Sequence, residues 1–141
     1  VIDKFTLNKK QRLAFLLKVN ARMEHIAPNV ERPPFRLIIG GPGGTGKSHI
    51  YDALKVFYSE VDLLPELNFT APTGVSASNI HGSTVHHELS LRTSYKVLIK
   101  NNSAPLQALV DRLESTRTLI IDEFFFLGCA DFEKISRNIN L

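Results

Sequence analysis

Glycine, lysine and hydroxyl side chains follow one another between residues 41 and 48, in the order GPGGTGKS. This order fits the pattern G-x-x-x-x-G-K-[ST] without a mismatch. Glycines let a short loop aim several backbone N–H groups at one anion, and a helix that begins after the loop adds the positive end of its dipole. The sequence therefore predicts a phosphate-binding loop rather than an ordinary glycine-rich turn.

The residues of this loop have distinct predicted roles around ATP and Mg²⁺. Lys47 is expected to reach the β- and γ-phosphates, and the Ser48 hydroxyl is a hard oxygen ligand of the kind that Mg²⁺ prefers. The remaining candidate contacts to the nucleotide are Gly41, Gly43, Gly44, Thr45 and Gly46.

Two carboxylates, Asp122 and Glu123, directly follow the apolar residues 119–121. Strands often end in solvated acids, so the pair is a weak signal alone, but with a phosphate loop it indicates an ATPase. Asp122 is expected to hold Mg²⁺, through water, and Glu123 to polarise the attacking water. A small-molecule kinase needs no such glutamate. We expect both acids to share one magnesium-bound triphosphate with Lys47 and Ser48.

Alternating helices and strands are expected to position these residues. Asn8 can cap a helix over residues 8–26, with Leu13, Leu16 and Leu17 as its apolar stripe. Predicted strands cover residues 35–39, 67–70 and 118–121, and further helices cover residues 50–57, 75–80, 106–113 and 132–139. Residues 92–104 are predicted to be irregular. This alternation indicates an α/β fold with a parallel sheet and flanking helices, in which ligands lie at the carboxyl ends of strands.

Composition narrows the class of protein. A chain of 141 residues with 43% hydrophobic residues fits one ordinary domain, and its apolar runs are too short to span a bilayer. One cysteine, Cys129, permits no internal disulfide and fits an intracellular location. The chain begins with valine and has one methionine, Met23, so we expect a piece of a longer protein.

Positive charge is concentrated near the N-terminus. Residues 1–36 contain eight lysines and arginines against three acidic residues, a net charge of +5, and the remainder carries −2. Such a segment could meet a phosphate backbone, or it could be the solvated face of a helix. Charge alone favours the solvated face.

Further stretches extend the pattern beyond a generic ATPase. They are LNKKQ at residues 7–11, TAPTGVSA at 70–77 and IHGSTVH at 80–86. With the phosphate loop and the acidic pair, their order closely resembles the Pif-one-like family of superfamily-1B DNA helicases, over residues 7–140. The resemblance implies a RecA-like P-loop motor lobe, with an N-terminal helix, an adenine-reading segment and a linker in residues 1–34 and the partial lobe in residues 35–141.

The resemblance also implies roles for individual residues. Gln11 is expected to read adenine, since an amide can pair with both its N6 amine and N7. Single-stranded DNA is the implied partner, contacted by Thr73 and Gly74 and more loosely by Thr84 and His86. The adjacent His86 and His87, if placed on a strand, face opposite sides and make a poor metal site. Implied locations are the nucleus or mitochondrion in a eukaryote.

The chain departs from the family pattern in two places. Residues 124–126 are three phenylalanines, for which we expect core packing rather than a base-stacking platform. The later family motifs and the second motor lobe are absent from these residues, so we expect an incomplete lobe with weak activity. Two alternatives to a helicase remain: a non-catalytic nucleotide-binding remnant of a mobile-element helicase, and a P-loop kinase.

Overall fold

The computed structural model describes residues 2–26, 33–94, 96 and 103–140. The chain forms two compact units, Val1–Leu64 and Pro65–Leu141. The predicted division after residue 34 lies inside the first of these units. In the part of the chain that is described, no helix combines the length and the apolar character needed to cross a membrane.

The first unit contains helices α1 (Ile2–Phe5), α2 (Lys9–Ile26) and α3 (Lys47–Glu60). Asn8 caps α2 as predicted, because its Oδ1 accepts hydrogen bonds from the backbone N–H groups of Lys10 and Gln11, each at 3.0 Å. The predicted amphipathic helix after the phosphate loop is α3, which begins at Lys47.

The buried face of α2 differs from the predicted leucine stripe. Leu13 and Leu17 are 59% and 42% exposed, so their predicted burial is wrong. The residues that α2 buries are Ala14, Phe15, Val19 and Ala21. The ring of Phe15 meets the ring of Phe57 edge to face at a centroid distance of 6.1 Å, which ties α2 to α3. An aromatic ring buries more apolar area than a leucine, and its position determines which face turns inward.

Residues 33–40 form neither helix nor strand, so the predicted buried strand over residues 35–39 is wrong. Its apolar side chains face solvent to a large extent, with Ile38 72% exposed. A buried strand needs a hydrogen-bonded neighbour and cover on both faces. Among the described residues this segment has no ladder partner.

The second unit is built on a parallel sheet of three short strands, β1 (Leu67–Ala71), β2 (Ser83–Thr84) and β3 (Thr118–Ile121), in the order β2-β1-β3. Thr70 of β1 lies opposite Ser83 on one side and Ile121 on the other. The flanking helices are α4 (Gly74–Asn79), α5 (Val85–Glu88), α6 (Ala104–Leu113) and α7 (Cys129–Ile139). The predicted α/β class, with a parallel sheet and flanking helices, is confirmed.

Several boundaries refine the sequence prediction. Ser103 caps α6, with its Oγ accepting the Leu106 N–H at 3.2 Å, so this helix begins two residues earlier than predicted. Much of the predicted irregular region, residues 95 and 97–102, lies outside the described residues. Strand β2 was not predicted, since two residues are too few to show an alternating pattern.

The position of β2 is set by a close contact between the backbone at Gly82 and the backbone at Phe69. A Cβ atom on Gly82 would lie 2.1 Å from the Phe69 carbonyl oxygen, a distance that no side chain can occupy. Glu88 of α5, 8% exposed, adds a polar anchor: Asn68 Nδ2 donates to its Oε1 at 2.6 Å, and Ser83 Oγ donates to its Oε2 at 2.7 Å. These contacts hold β2 and α5 against β1.

Candidate functional site

The phosphate loop lies in the first unit and has a defined backbone. Gly44 and Gly46 adopt left-handed conformations with φ of 74° and 77°, which only glycine adopts at little cost. The Thr45 hydroxyl donates to the Pro42 carbonyl at 2.8 Å and closes the loop on itself. The conformation predicted for residues 41–48 therefore rests on glycine at positions 44 and 46.

Helix α3 begins at Lys47, at the end of this loop. Gly46 is its N-cap and provides no side-chain cap, and the His49 N–H donates to the Gly46 carbonyl at 3.2 Å. The backbone N–H groups of Lys47 and Ser48 are therefore the candidate donors to an anion. Lys47 Nζ donates to the carbonyls of Gly41 and Pro42 at 2.9 and 3.0 Å, and Ser48 is exposed in the first turn. Uncapped amides, an ammonium group and a hydroxyl are the donor set that fits a magnesium-bound polyphosphate.

Gln11 contacts the loop directly. Its Nε2 donates to the Gly46 carbonyl at 2.9 Å and lies 3.4 Å from the Thr45 carbonyl, and its Oε1 accepts the Asn8 N–H at 2.9 Å. A Cβ on Gly46 would lie 2.7 Å from this amide nitrogen. Gln11 thus supports the loop backbone, a role that its sequence position did not reveal; its adenine contact stays a prediction.

The acidic pair lies in the second unit, at the carboxyl end of β3. The Asp122 N–H donates to the Thr70 carbonyl at 2.8 Å, so the ladder with β1 continues one residue beyond the strand. Glu123 is exposed and takes a left-handed backbone conformation, with φ 48° and ψ 33°. Non-glycine residues in this region are uncommon, and they concentrate at functional sites.

Thr73 lies at the carboxyl end of β1 and caps α4. Its Oγ1 accepts the Ser76 N–H at 3.2 Å and donates to Ser76 Oγ at 2.9 Å. Ser76 Oγ in turn donates to Glu123 Oε2. Ser76 was not predicted as a site residue. Its place three residues after a capping threonine signals the helix start, but not a partner that lies 47 residues away.

Thr84 and His86 lie at the start of α5. Thr84 is the N-cap, with its hydroxyl accepting the His87 N–H at 3.4 Å. His86 and His87 belong to this helix rather than to a strand. His86 is half-buried, with Nε2 3.9 Å from Asp131 Oδ1, and His87 is exposed.

The three phenylalanines form a short 3₁₀ turn, residues Phe124–Phe126. Phe124 packs against the apolar core of the second unit and meets Phe132 edge to face at 5.9 Å. Phe125 and Phe126 are 74% and 75% exposed, so the prediction of core packing is wrong for these two. A three-residue turn after a strand cannot direct three consecutive side chains into one core.

The parallel sheet collects the predicted residues of the second unit at one edge. Thr84 ends β2 opposite Ala71, and on the other side the Asp122 N–H donates to the Thr70 carbonyl. Because parallel strands end at the same edge, this edge holds the metal and water-activating candidates together with the DNA-contact candidates. Those residues are Thr73, Gly74, Thr84, His86, Asp122 and Glu123.

Comparison with known proteins shows the family of this chain. Residues 23–140, most of the chain, match the family model described as AAA domain. No curated protein and no solved structure matches the chain. A phosphate loop, a strand directly followed by Asp122 and Glu123, and a matching family model lead to one conclusion: the chain belongs to the AAA domain family and is a nucleotide-binding P-loop NTPase.

Proposed function

We propose that this chain is motor-lobe sequence of a Pif-one-like DNA helicase, in which ATP hydrolysis drives movement along single-stranded DNA and unwinding of duplex. The observation that supports this proposal most strongly is that the candidate catalytic and DNA-contact residues of the second unit lie at the same edge of its sheet. Glu123, the candidate for activating water, is joined through Ser76 to Thr73, the candidate for contacting DNA. A motor needs these two functions to be coupled, whereas a P-loop kinase needs neither.

The proposed chemistry divides the work among four side chains. Lys47 would stabilise negative charge on the β- and γ-phosphates of ATP. Ser48 would supply an oxygen ligand for Mg²⁺, and Asp122 would hold the metal through water. Glu123 accepts a hydrogen bond from the attacking water and orients it. When bound, the metal neutralises charge on the phosphate oxygens.

Single-stranded DNA is the proposed partner of the same edge. The hydroxyls of Thr73 and Thr84 and the backbone N–H of Gly74 suit sequence-independent contacts to phosphate oxygens, with His86 beside them. Exposure of Phe125 and Phe126 supports the alternative that residues 124–126 offer a stacking surface for bases. A second motor lobe, and a nuclear or mitochondrial location in a eukaryotic cell, belong to the same proposal.

Steady-state ATP hydrolysis with and without oligothymidylate tests this function. We expect the DNA to stimulate hydrolysis in the wild-type chain. Glu123→Gln should keep nucleotide binding and lower the stimulated rate about 10²- to 10⁴-fold, the usual contribution of a general base. Lys47→Ala should abolish nucleotide binding. The matched controls are Glu114→Gln and Lys10→Ala, which change exposed residues of the same types.

Other results of this assay would assign the chain to another functional class or refute the assignment. Nucleotide binding without hydrolysis would indicate a non-catalytic binding module. Phosphoryl transfer to a small-molecule hydroxyl, with water excluded, would indicate a kinase. Hydrolysis that neither DNA nor Glu123→Gln changes would refute the helicase assignment.

A further inference from the structure

Three side chains form a continuous hydrogen-bonded chain across the carboxyl edge of the second unit. Thr73 Oγ1 donates to Ser76 Oγ at 2.9 Å, and Ser76 Oγ donates to Glu123 Oε2. A hydroxyl has one proton to donate and two lone pairs to accept with. The single proton of Ser76 is therefore committed to Glu123, and the single proton of Thr73 to Ser76.

The backbone fixes both ends of this chain. Thr73 is held as the N-cap of α4, a helix anchored by Ala77, which is 3% exposed. Glu123 projects from a left-handed residue just beyond β3, whose position is set by the ladder with β1. Ser76 is half-buried between them. The carboxylate of an exposed glutamate would otherwise sample several rotamers, so the bond from Ser76 selects one of them.

On the basis of the proposed function, we propose that Ser76 is a positioning residue that makes the orientation of Glu123 depend on what Thr73 contacts. Neighbouring hydrogen bonds polarise one another, so a Thr73 proton donated to Ser76 strengthens the bond from Ser76 to Glu123. A DNA phosphate oxygen that takes the Thr73 proton weakens that bond. The carboxylate is then released to bind the attacking water.

This role predicts a specific kinetic defect in Ser76→Ala. Without the hydroxyl, Glu123 no longer responds to Thr73, so hydrolysis should lose most of its stimulation by oligothymidylate, about tenfold or more. The KM for ATP should change by less than about twofold, because Ser76 does not contact the nucleotide in this proposal. Ser76→Thr keeps a hydroxyl at this position and should restore stimulation.

Ser78→Ala is the matched control. Ser78 lies on the same short helix and is exposed. Its removal should leave the rate, the KM and the stimulation by DNA unchanged. Circular dichroism melting of both alanine variants checks that helix α4 remains folded.

Unfolding measurements separate a failure of this inference from a failure of the proposed function. A double-mutant cycle of Ser76→Ala and Glu123→Ala should give a non-additive change in stability if the bond exists in solution. Additivity, or stimulation by DNA that survives Ser76→Ala in full, would overturn the role of Ser76 alone. A wild-type chain that DNA does not stimulate would overturn the helicase assignment, and the coupling with it.

Discussion

Gly46 is the position at which the geometry of the phosphate loop can be tested most quantitatively. Two independent features act there: a φ of 77°, and the Gln11 amide 2.7 Å from where a Cβ would lie. Gly46→Ala must therefore accept a left-handed alanine and displace Gln11. The Gln11 amide is the far end of a flexible side chain, so it can move, but it then loses its 2.9 Å bond to the Gly46 carbonyl.

The expected loss of stability in Gly46→Ala is the sum of the backbone strain and the lost hydrogen bond. A left-handed alanine costs about 1–2 kcal/mol, and the lost hydrogen bond adds about 1 kcal/mol. Gly46→Ala should therefore lower the free energy of unfolding by about 2–3 kcal/mol. Substitutions at two neighbouring glycines measure the two contributions separately. Gly44 has a φ of 74° with nothing within 4 Å of a Cβ, and Gly43 has neither feature.

Urea unfolding followed by far-ultraviolet circular dichroism measures these differences. Gly44→Ala should cost about 1–2 kcal/mol, whereas Gly43→Ala should be neutral or stabilising by up to about 1 kcal/mol. In the double variant with Gln11→Ala, the Gly46 penalty should fall to that of Gly44→Ala, since the bond is lost only once. Equal effects at positions 43, 44 and 46, or strict additivity with Gln11→Ala, would refute the reasoning.

Two further substitutions test how the second unit is held together. Gly82→Ala should cost more than about 3 kcal/mol, because its Cβ meets the rigid carbonyl of Phe69 rather than a side chain; a melting temperature equal to wild type would contradict this. Glu88→Ala should cost about 2–3 kcal/mol by leaving Asn68 and Ser83 without their acceptor, and Glu88→Gln, which keeps one acceptor oxygen, should cost about half as much. Equal losses in the two Glu88 variants, measured by urea unfolding, would show that the hydrogen bonds do not set the stability there.

Features that depend on a short stretch of residues were predictable from the sequence. The cap at Asn8, the glycine loop, β1 and the bounds of β3 all follow from short patterns whose physical reasons lie within a few residues. The phosphate loop and the acidic pair were recognised for the same reason. The position of the acidic pair in the second unit then follows from the rule that parallel strands end at one edge.

Contacts between distant residues were not predictable. Nothing near Ser76 indicates a bond to Glu123, and nothing near Gln11 indicates its bond to the Gly46 carbonyl. Burial was also misjudged, for residues 35–39 and for two of the three phenylalanines, because an apolar run shows a preference for burial but not the partner that provides it. These features depend on tertiary packing, which a local pattern does not contain.

The central proposal, drawn from the two sequence motifs, is that Asp122 holds the metal of the same nucleotide that Lys47 binds. Equilibrium binding of a fluorescent, non-hydrolysable ATP analogue, with and without Mg²⁺, tests it in the wild-type chain, in Asp122→Asn and in the control Asp111→Asn. We expect Mg²⁺ to strengthen binding in the wild type and in the control, and this gain to fall about tenfold or more in Asp122→Asn. A gain from Mg²⁺ in Asp122→Asn equal to that of the wild type would contradict the claim.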